Sequence, residues 1–204
     1  MTTFIIVCFI LGGLLIGLGV MGHKTELKQK EPMRNIFSST VDKLPHSKQF
    51  LNHSEMKGIL YDDSSDQIHL INGSDYITLS KKHVLQVEIM ENKESITQTS
   101  RSSQLARTAI GSLIGGGYGA IIGGLSAKKL HQDKVDELGL RLVVNDPNSP
   151  IIEFNFYKHD LPIHTTKPLY KRQYEEAYEW FKTIEVMIAR ADKEDKMTNN
   201  QSAN

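Results

Sequence analysis

Residues 111–124 read GSLIGGGYGAIIGG, and the fold of the whole chain turns on how they are read. Gly111, Gly115, Gly119 and Gly123 fall four apart, with Leu113, Ile114, Ile121 and Ile122 between them. They lie within Thr108–Ala127, an uncharged stretch flanked by Arg101 and Arg107 before and by Lys128 and Lys129 after. Its length would let one helix cross a bilayer. Small residues four apart let two helix backbones approach closely, as they do in membrane helix pairs. Against a plain span stand the glycines themselves, each costing a helix about 1 kcal/mol relative to alanine. A phosphate loop is disfavoured, because no Gly-Lys-Ser/Thr occurs and the apolar pairs suit packing.

The flanks decide between these readings. Before the glycines, KGILYDD and DQIHLING are short strands around an Asp/Ser turn at Asp62–Asp66. SDYITLS follows the hairpin signal Asn72-Gly73. In HVLQVEIMEN, Leu85, Val87 and Ile89 alternate with Gln86, Glu88 and Met90, which predicts one buried face. ESITQTSR is a weaker strand. After the glycines, Leu138, Leu140, Leu142 and Val144 share one face, and Ile152, Phe154 and Phe156 share another. The turn Asn145–Pro150 joins these two strands into a hairpin.

If the strands on both sides share one sheet, both ends of the insert lie on one side of the membrane. A helical hairpin over 104–129 follows, with arms near 104–114 and 118–129 turning at Gly115-Gly116-Gly117. Each arm would be roughly 15 Å long, too short to cross. The hairpin could enter the cytoplasmic leaflet, pack on the tether or self-associate. Gly111, Gly115, Gly119, Gly123, Leu113, Ile114, Ile121 and Ile122 are its contact residues, and Arg107, Lys128 and Lys129 would sit at lipid headgroups.

The sheet needs a cover. From Pro168, residues Tyr170, Tyr174, Ala177, Phe181, Ile184 and Ile188 form one apolar stripe, widened by Trp180 and Met187. Lys171, Arg172, Glu175, Glu176, Glu179 and Lys182 take the other side. The helix expected over 168–192 therefore caps the chain's own sheet. Residues 193–204, polar and charged, read as a disordered tail.

At the other end, residues 4–22, FIIVCFILGGLLIGLGVMG, are uncharged and nearly all apolar. At helical rise they span roughly 28 Å, close to a bilayer's hydrocarbon thickness. No basic residue precedes them and no small-x-small cleavage site follows, so an uncleaved transmembrane anchor is expected. Lys24, Lys28, Lys30 and Arg34 follow it, which places the bulk of the chain in the cytoplasm of a single-pass cell-membrane protein. Residues 23–55 read as a linker with room for a short helix, and 56–192 as the domain.

Twenty-four basic residues balance twenty-four acidic ones, which gives no global attraction to nucleic acid. Cys8 is the only cysteine, so no intrachain disulfide forms. The histidines show no metal-ligand spacing, and His159 and His164 fall in a proline-containing loop. No nucleophile–base pair or convergent carboxylate set is visible, since Asp192, Glu194 and Asp195 sit in the tail. No catalytic, cofactor-binding or metal residue is assigned, and no small-molecule substrate is expected.

The segments KGILYD, LQVEIMENKESI, RTAIGSLIGGGYGAIIGGLSAKK, GLRLVVNDPNSPIIEFNF and YEEAYEWFKTI together resemble the bacterial pleckstrin-homology-like (PH-like) domains that carry a glycine-zipper insert. The resemblance covers about residues 56–190. It implies an α+β fold, mainly β, in which a partly open barrel or curved antiparallel sheet is closed by the C-terminal helix. It implies no catalysis. In relatives that bind phosphoinositides the first strand–loop is basic, whereas here Asp62-Asp63-Ser64-Ser65-Asp66 is acidic and would repel phosphate. Two functions are compatible. One is a non-enzymatic membrane adaptor whose partner is a second copy or a membrane protein; the other is a membrane-active effector of the immunity or phage-exclusion type.

Overall fold

The structure, a computed structural model, describes residues 31–101 and 133–202. The anchor expected over 4–22 and the hairpin expected over 104–129 lie outside the described residues. Eight strands are described: β1 (Lys48–Asn52), β2 (Lys57–Asp62), β3 (Gln67–Asn72), β4 (Asp75–Ser80), β5 (Val84–Glu91), β6 (Glu94–Ser100), β7 (Lys134–Val144) and β8 (Ile151–His164). A helix, α1, covers residues 31–43, and α2 runs Pro168–Ser202. Two four-stranded sheets result, in the orders β1-β2-β3-β4 and β6-β5-β7-β8. The chain divides into two compact units. Of the described residues, the first holds those up to Leu60 together with His69–Ile77; the second holds Tyr61–Ile68 and those from Thr78 on.

In the first unit, Phe37 and Val41 of α1 pack with Leu60 and Ile71, and Leu44, Leu51 and Met56 close the cluster. The stretch expected as a linker is therefore structured from residue 31, and β1 begins before the expected boundary at 56. The sequence hid this because β1 is five residues long and lacks alternation. It is held by its turn: Asn52 Oδ1 accepts from Ser54 N and Glu55 N, both at 3.2 Å, and Met56 takes a positive φ of 54°.

In the second unit, every pairing is antiparallel: β6 with β5, β5 with β7, and β7 with β8. Asn92 and Lys93, both at positive φ, make the two-residue turn from β5 to β6, the geometry that suits the twist of paired strands. Val87 opposite Leu142, Ile89 opposite Leu140 and Leu140 opposite Phe154 place one continuous apolar face across the sheet. Buried Ala177, Trp180, Phe181, Ile184, Met187 and Ile188 of α2 belong to the same core, so the expected stripe packs as read. The opposite face of β5 differs from expectation. Gln86, Glu88 and Met90 are buried too, and Glu88 meets Arg141 across the pair at 3.7 Å. No side chain fits at Gly139: a Cβ there would lie 2.5 Å from Phe154 O and 2.5 Å from Asn155 Oδ1.

Two further expectations are corrected. His159 and His164 lie within β8, not in a loop, because β8 continues to His164 and pairs there with Lys134. The tail is helical to Ser202. Its composition offers no apolar stripe past Ala191, and what holds its beginning is electrostatic.

Candidate functional site

The glycine-rich insert joins β6 to β7, and its two feet are described. Both strands pair antiparallel with β5, one on each side, so they run parallel to each other. Ser100 ends β6 opposite Gln86, near the start of β5. Lys134 begins β7 beyond Leu138, which stands opposite Glu91 at the end of β5. The connection therefore leaves from one end of the sheet and returns at the other. Nine residues of strand separate the feet, about 30 Å. The course of α2 agrees. It starts near the returning foot, where Thr165 N donates to Asp133 O at 3.1 Å, and reaches the departing foot at Asp192, about 36 Å further along its axis.

The departing foot is built around Arg101. Its backbone N donates to Leu85 O at 2.8 Å, which adds one more rung to the β5–β6 ladder. Its guanidinium donates to Asp192 at 3.1 Å, to Asp195 at 2.5 Å and to Lys82 O at 3.1 Å. Arg101 is 6% exposed. Its side chain is thus a buried structural fork. Its partners are the carboxylates assigned to a disordered tail. A sequence shows no link between residues ninety apart; the closest available signal was the triplet Asp192, Glu194, Asp195 following an apolar stripe.

A second ionic cluster lies in the same unit. Asp66, at a positive φ of 50°, accepts from Tyr61 Oη at 2.7 Å, from Lys81 Nζ at 3.1 Å and from Arg190 at 2.5 Å. Lys81 also reaches Glu194 at 2.5 Å. Asp62 accepts from Ser64 N, Ser64 Oγ and Ser65 Oγ. Within the acidic turn, Asp66 is thereby charge-paired to Lys81 and Arg190, while Asp62 is satisfied by serine and backbone donors of the turn itself. Burial, with the Asp66 carboxylate beside it, pushes the Tyr61 hydroxyl up to about 12. At Asp66, burial raises the carboxyl, but the bonds from Tyr61, Arg190 and Lys81 outweigh it and the net shift is downward from 3.8. A depressed folded value means the cluster stabilises fully above that pH and weakens as pH falls through the lower folded value. Acid titration followed at the Asp66 carboxyl by NMR should show a midpoint below 3.8 in the native protein and a rise towards it in Arg190→Ala. A midpoint unmoved by that substitution would dismiss the cluster as an energetic unit.

The expected contact residues Gly111, Leu113, Ile114, Gly115, Gly119, Ile121, Ile122 and Gly123, with Arg107, Lys128 and Lys129, lie outside the described residues. Among the described residues no group of three or more His, Cys, Asp or Glu is placed to hold a metal, and no helix is long and apolar enough to cross a membrane.

Residues 47–158, from β1 into β8 and spanning the insert, match the family described as glycine zipper containing PH domain. The chain belongs to this family. The match begins at β1, in keeping with a domain that starts before residue 56. Two relatives share 33% identity with the PH-like chain over 97 residues, 46% of its length. One is the "Immunity protein" of Bacillus phage SPbeta, of which 46% is covered; the other is the "SPbeta prophage-derived uncharacterized membrane protein YomJ" of Bacillus subtilis (strain 168), of which 41% is covered. The chain thus spans less than half the length of the curated relatives it matches. No solved structure matches it.

Proposed function

We propose that this PH-like protein is a membrane-tethered, non-enzymatic interaction module, in which the glycine-rich insert mediates self-association or membrane contact. The observation that carries the reading is the mount. The insert springs from a sheet covered by a long helix, one foot pinned by Arg101 to Asp192 and Asp195 and the other tied through Asp133 to Thr165. Rigid feet present a segment in a fixed place, which lowers the entropy lost when it binds. Residues 4–22 supply the tether, and the basic residues after it set the cytoplasmic side. One relative carries "membrane protein" in its name, which supports that placement.

A membrane-active effector of the immunity type is the second reading, favoured by the printed name of the phage relative. Gly115 and Gly119 separate the two. In the full chain, Gly115→Leu with Gly119→Leu should remove chemically cross-linked oligomers from membranes, because bulky residues prevent close backbone approach. Vesicles carrying the unaltered chain should retain an entrapped dye. Dye release by the unaltered chain that the double substitution abolishes would replace the adaptor reading with the effector.

A further inference from the structure

The apolar stripe of α1 is longer than the sheet that covers it. Met33, Ile36, Phe37, Val41 and Leu44 recur at helical spacing. Phe37 and Val41 are buried with Leu60 and Ile71, and the Phe37 ring meets His53 edge-on at 5.8 Å. One turn nearer the start of the helix the cover ends: Met33 is 52% exposed and Ile36 is 50% exposed. Three apart on one helix, these two side chains are neighbours on one surface. The helix is regular through the change, since Thr40, one turn past Ile36, is buried and its Oγ1 donates to Ile36 O at 3.0 Å.

What lies near that surface follows from the chain. Residues 4–22 supply the tether and α1 is described from residue 31, so only residues 23–30 lie between them. Eight residues reach at most about 29 Å when fully extended, and any bend brings α1 closer. The first turn of α1 is therefore held within that distance of the cytoplasmic leaflet. Over residues 23–36 the charged residues are Lys24, Lys28, Lys30 and Arg34 against Glu26 and Glu31, so the approach is basic. Arg34 is exposed beside Met33.

We propose that the first turn of α1 lies on the cytoplasmic leaflet, with Met33 and Ile36 at the acyl boundary and Arg34 and the lysines before it at the headgroups. The proposal rests on the tether reading of residues 4–22 and adds a contact that the glycine-rich insert does not supply. Two apolar side chains bind a bilayer weakly from solution. A short tether makes the same contact intramolecular, at an effective concentration in the millimolar range. Lipid is favoured over a protein partner for that reason: the leaflet is within reach of every molecule at all times, and a basic approach suits its anionic headgroups.

The test uses the full chain with Cys8→Ser, reconstituted in vesicles of phosphatidylethanolamine and phosphatidylglycerol. An environment-sensitive dye is attached at Ile36→Cys and, in a second preparation, at Ser38→Cys. Ser38 is exposed and lies about 200° around the helix from Ile36. The label at 36 should shift to the blue and be quenched by a shallow lipid-borne quencher, while the label at 38 stays aqueous. Met33→Ser should lower the inserted-to-aqueous ratio of the label at 36 roughly fivefold. Lengthening the tether by about twenty-four glycine and serine residues after Lys24 leaves α1 and its core untouched. It should lower the ratio roughly eightfold, because the spacer grows about fourfold and effective concentration falls as the −3/2 power of length. Slow amide exchange at Leu60 and Ile71 reports in every variant that the core under α1 is intact.

A label at 36 that stays aqueous while the chain floats with the vesicles overturns the proposal and leaves the tether standing. A chain that does not float removes the tether, and the proposal with it. Shielding at 36 without quenching from the lipid also overturns the proposal, and marks a contact between copies instead.

Discussion

Trp180→Ala should lower the unfolding free energy by about 3–5 kcal/mol, the usual cost of truncating a large buried aromatic side chain. Trp180 is fully buried in the layer between α2 and the second sheet, with Ala177, Phe181, Ile184 and Met187 buried along the same helix and Ile89, Leu138, Leu140 and Leu142 buried on the sheet. Neighbours fixed in a sheet and a long helix cannot close in on the space, so a cavity term adds to the lost transfer energy. The indole Nε1 donates to Glu176 at 3.0 Å, and that bond is lost as well. Urea unfolding followed by far-ultraviolet circular dichroism measures the effect. Trp180→Phe, which keeps most of the volume, should cost about half as much or less. An alanine variant within about 1 kcal/mol of the parent would mean that α2 does not depend on this layer.

The second large effect is expected at Arg101. Arg101→Ala should cost about 2–4 kcal/mol, because it removes a buried charge that donates to two carboxylates and a carbonyl. The lower half of that range is expected, since Asp195 is 45% exposed and water can take over part of its solvation. The position of the effect is more telling than its size. Past Ala191 the helix has no buried side chain to hold it, so without Arg101 the amides of 193–201 should lose hydrogen-exchange protection while those of 177–188 keep theirs. Arg101→Lys should behave nearly as badly as alanine, because an ammonium cannot reproduce the fork towards Asp192, Asp195 and Lys82 O. Unchanged protection at 193–201 would show that the tail is held by something else. Since Arg101 is the last described residue before the insert, the same substitution loosens one of the insert's two feet.

These two residues mark where the sequence could and could not be read. Trp180 lies on a stripe with helical spacing, and a stripe with one polar side has few ways to be buried; its role was legible from the order of residues alone. The seven strands from Lys57 to β8 were legible for the same reason, each announced by alternation or by a turn residue such as Asn72-Gly73. So was the family, because a glycine-rich stretch set between strands and followed by an amphipathic helix is an uncommon order of parts. Arg101 was readable only as a base beside an uncharged stretch. Its partners lie ninety residues away in a segment whose composition signals disorder, and charge pairing across such a distance leaves no periodic trace.

Local chemistry therefore determined which elements form and which faces of them are apolar, since both follow from side-chain spacing against the periods of helix and strand. Tertiary structure alone decided three things. It set the feet of the insert at opposite ends of β5, because strand order is a pairing between distant segments. It extended α2 through its polar end, because the ion pairs to Arg101 and Lys81 replace the apolar contacts that the sequence lacks there. It also turned Leu161 outward, because one register shift in β8 moves a side chain from the face of a sheet into solvent.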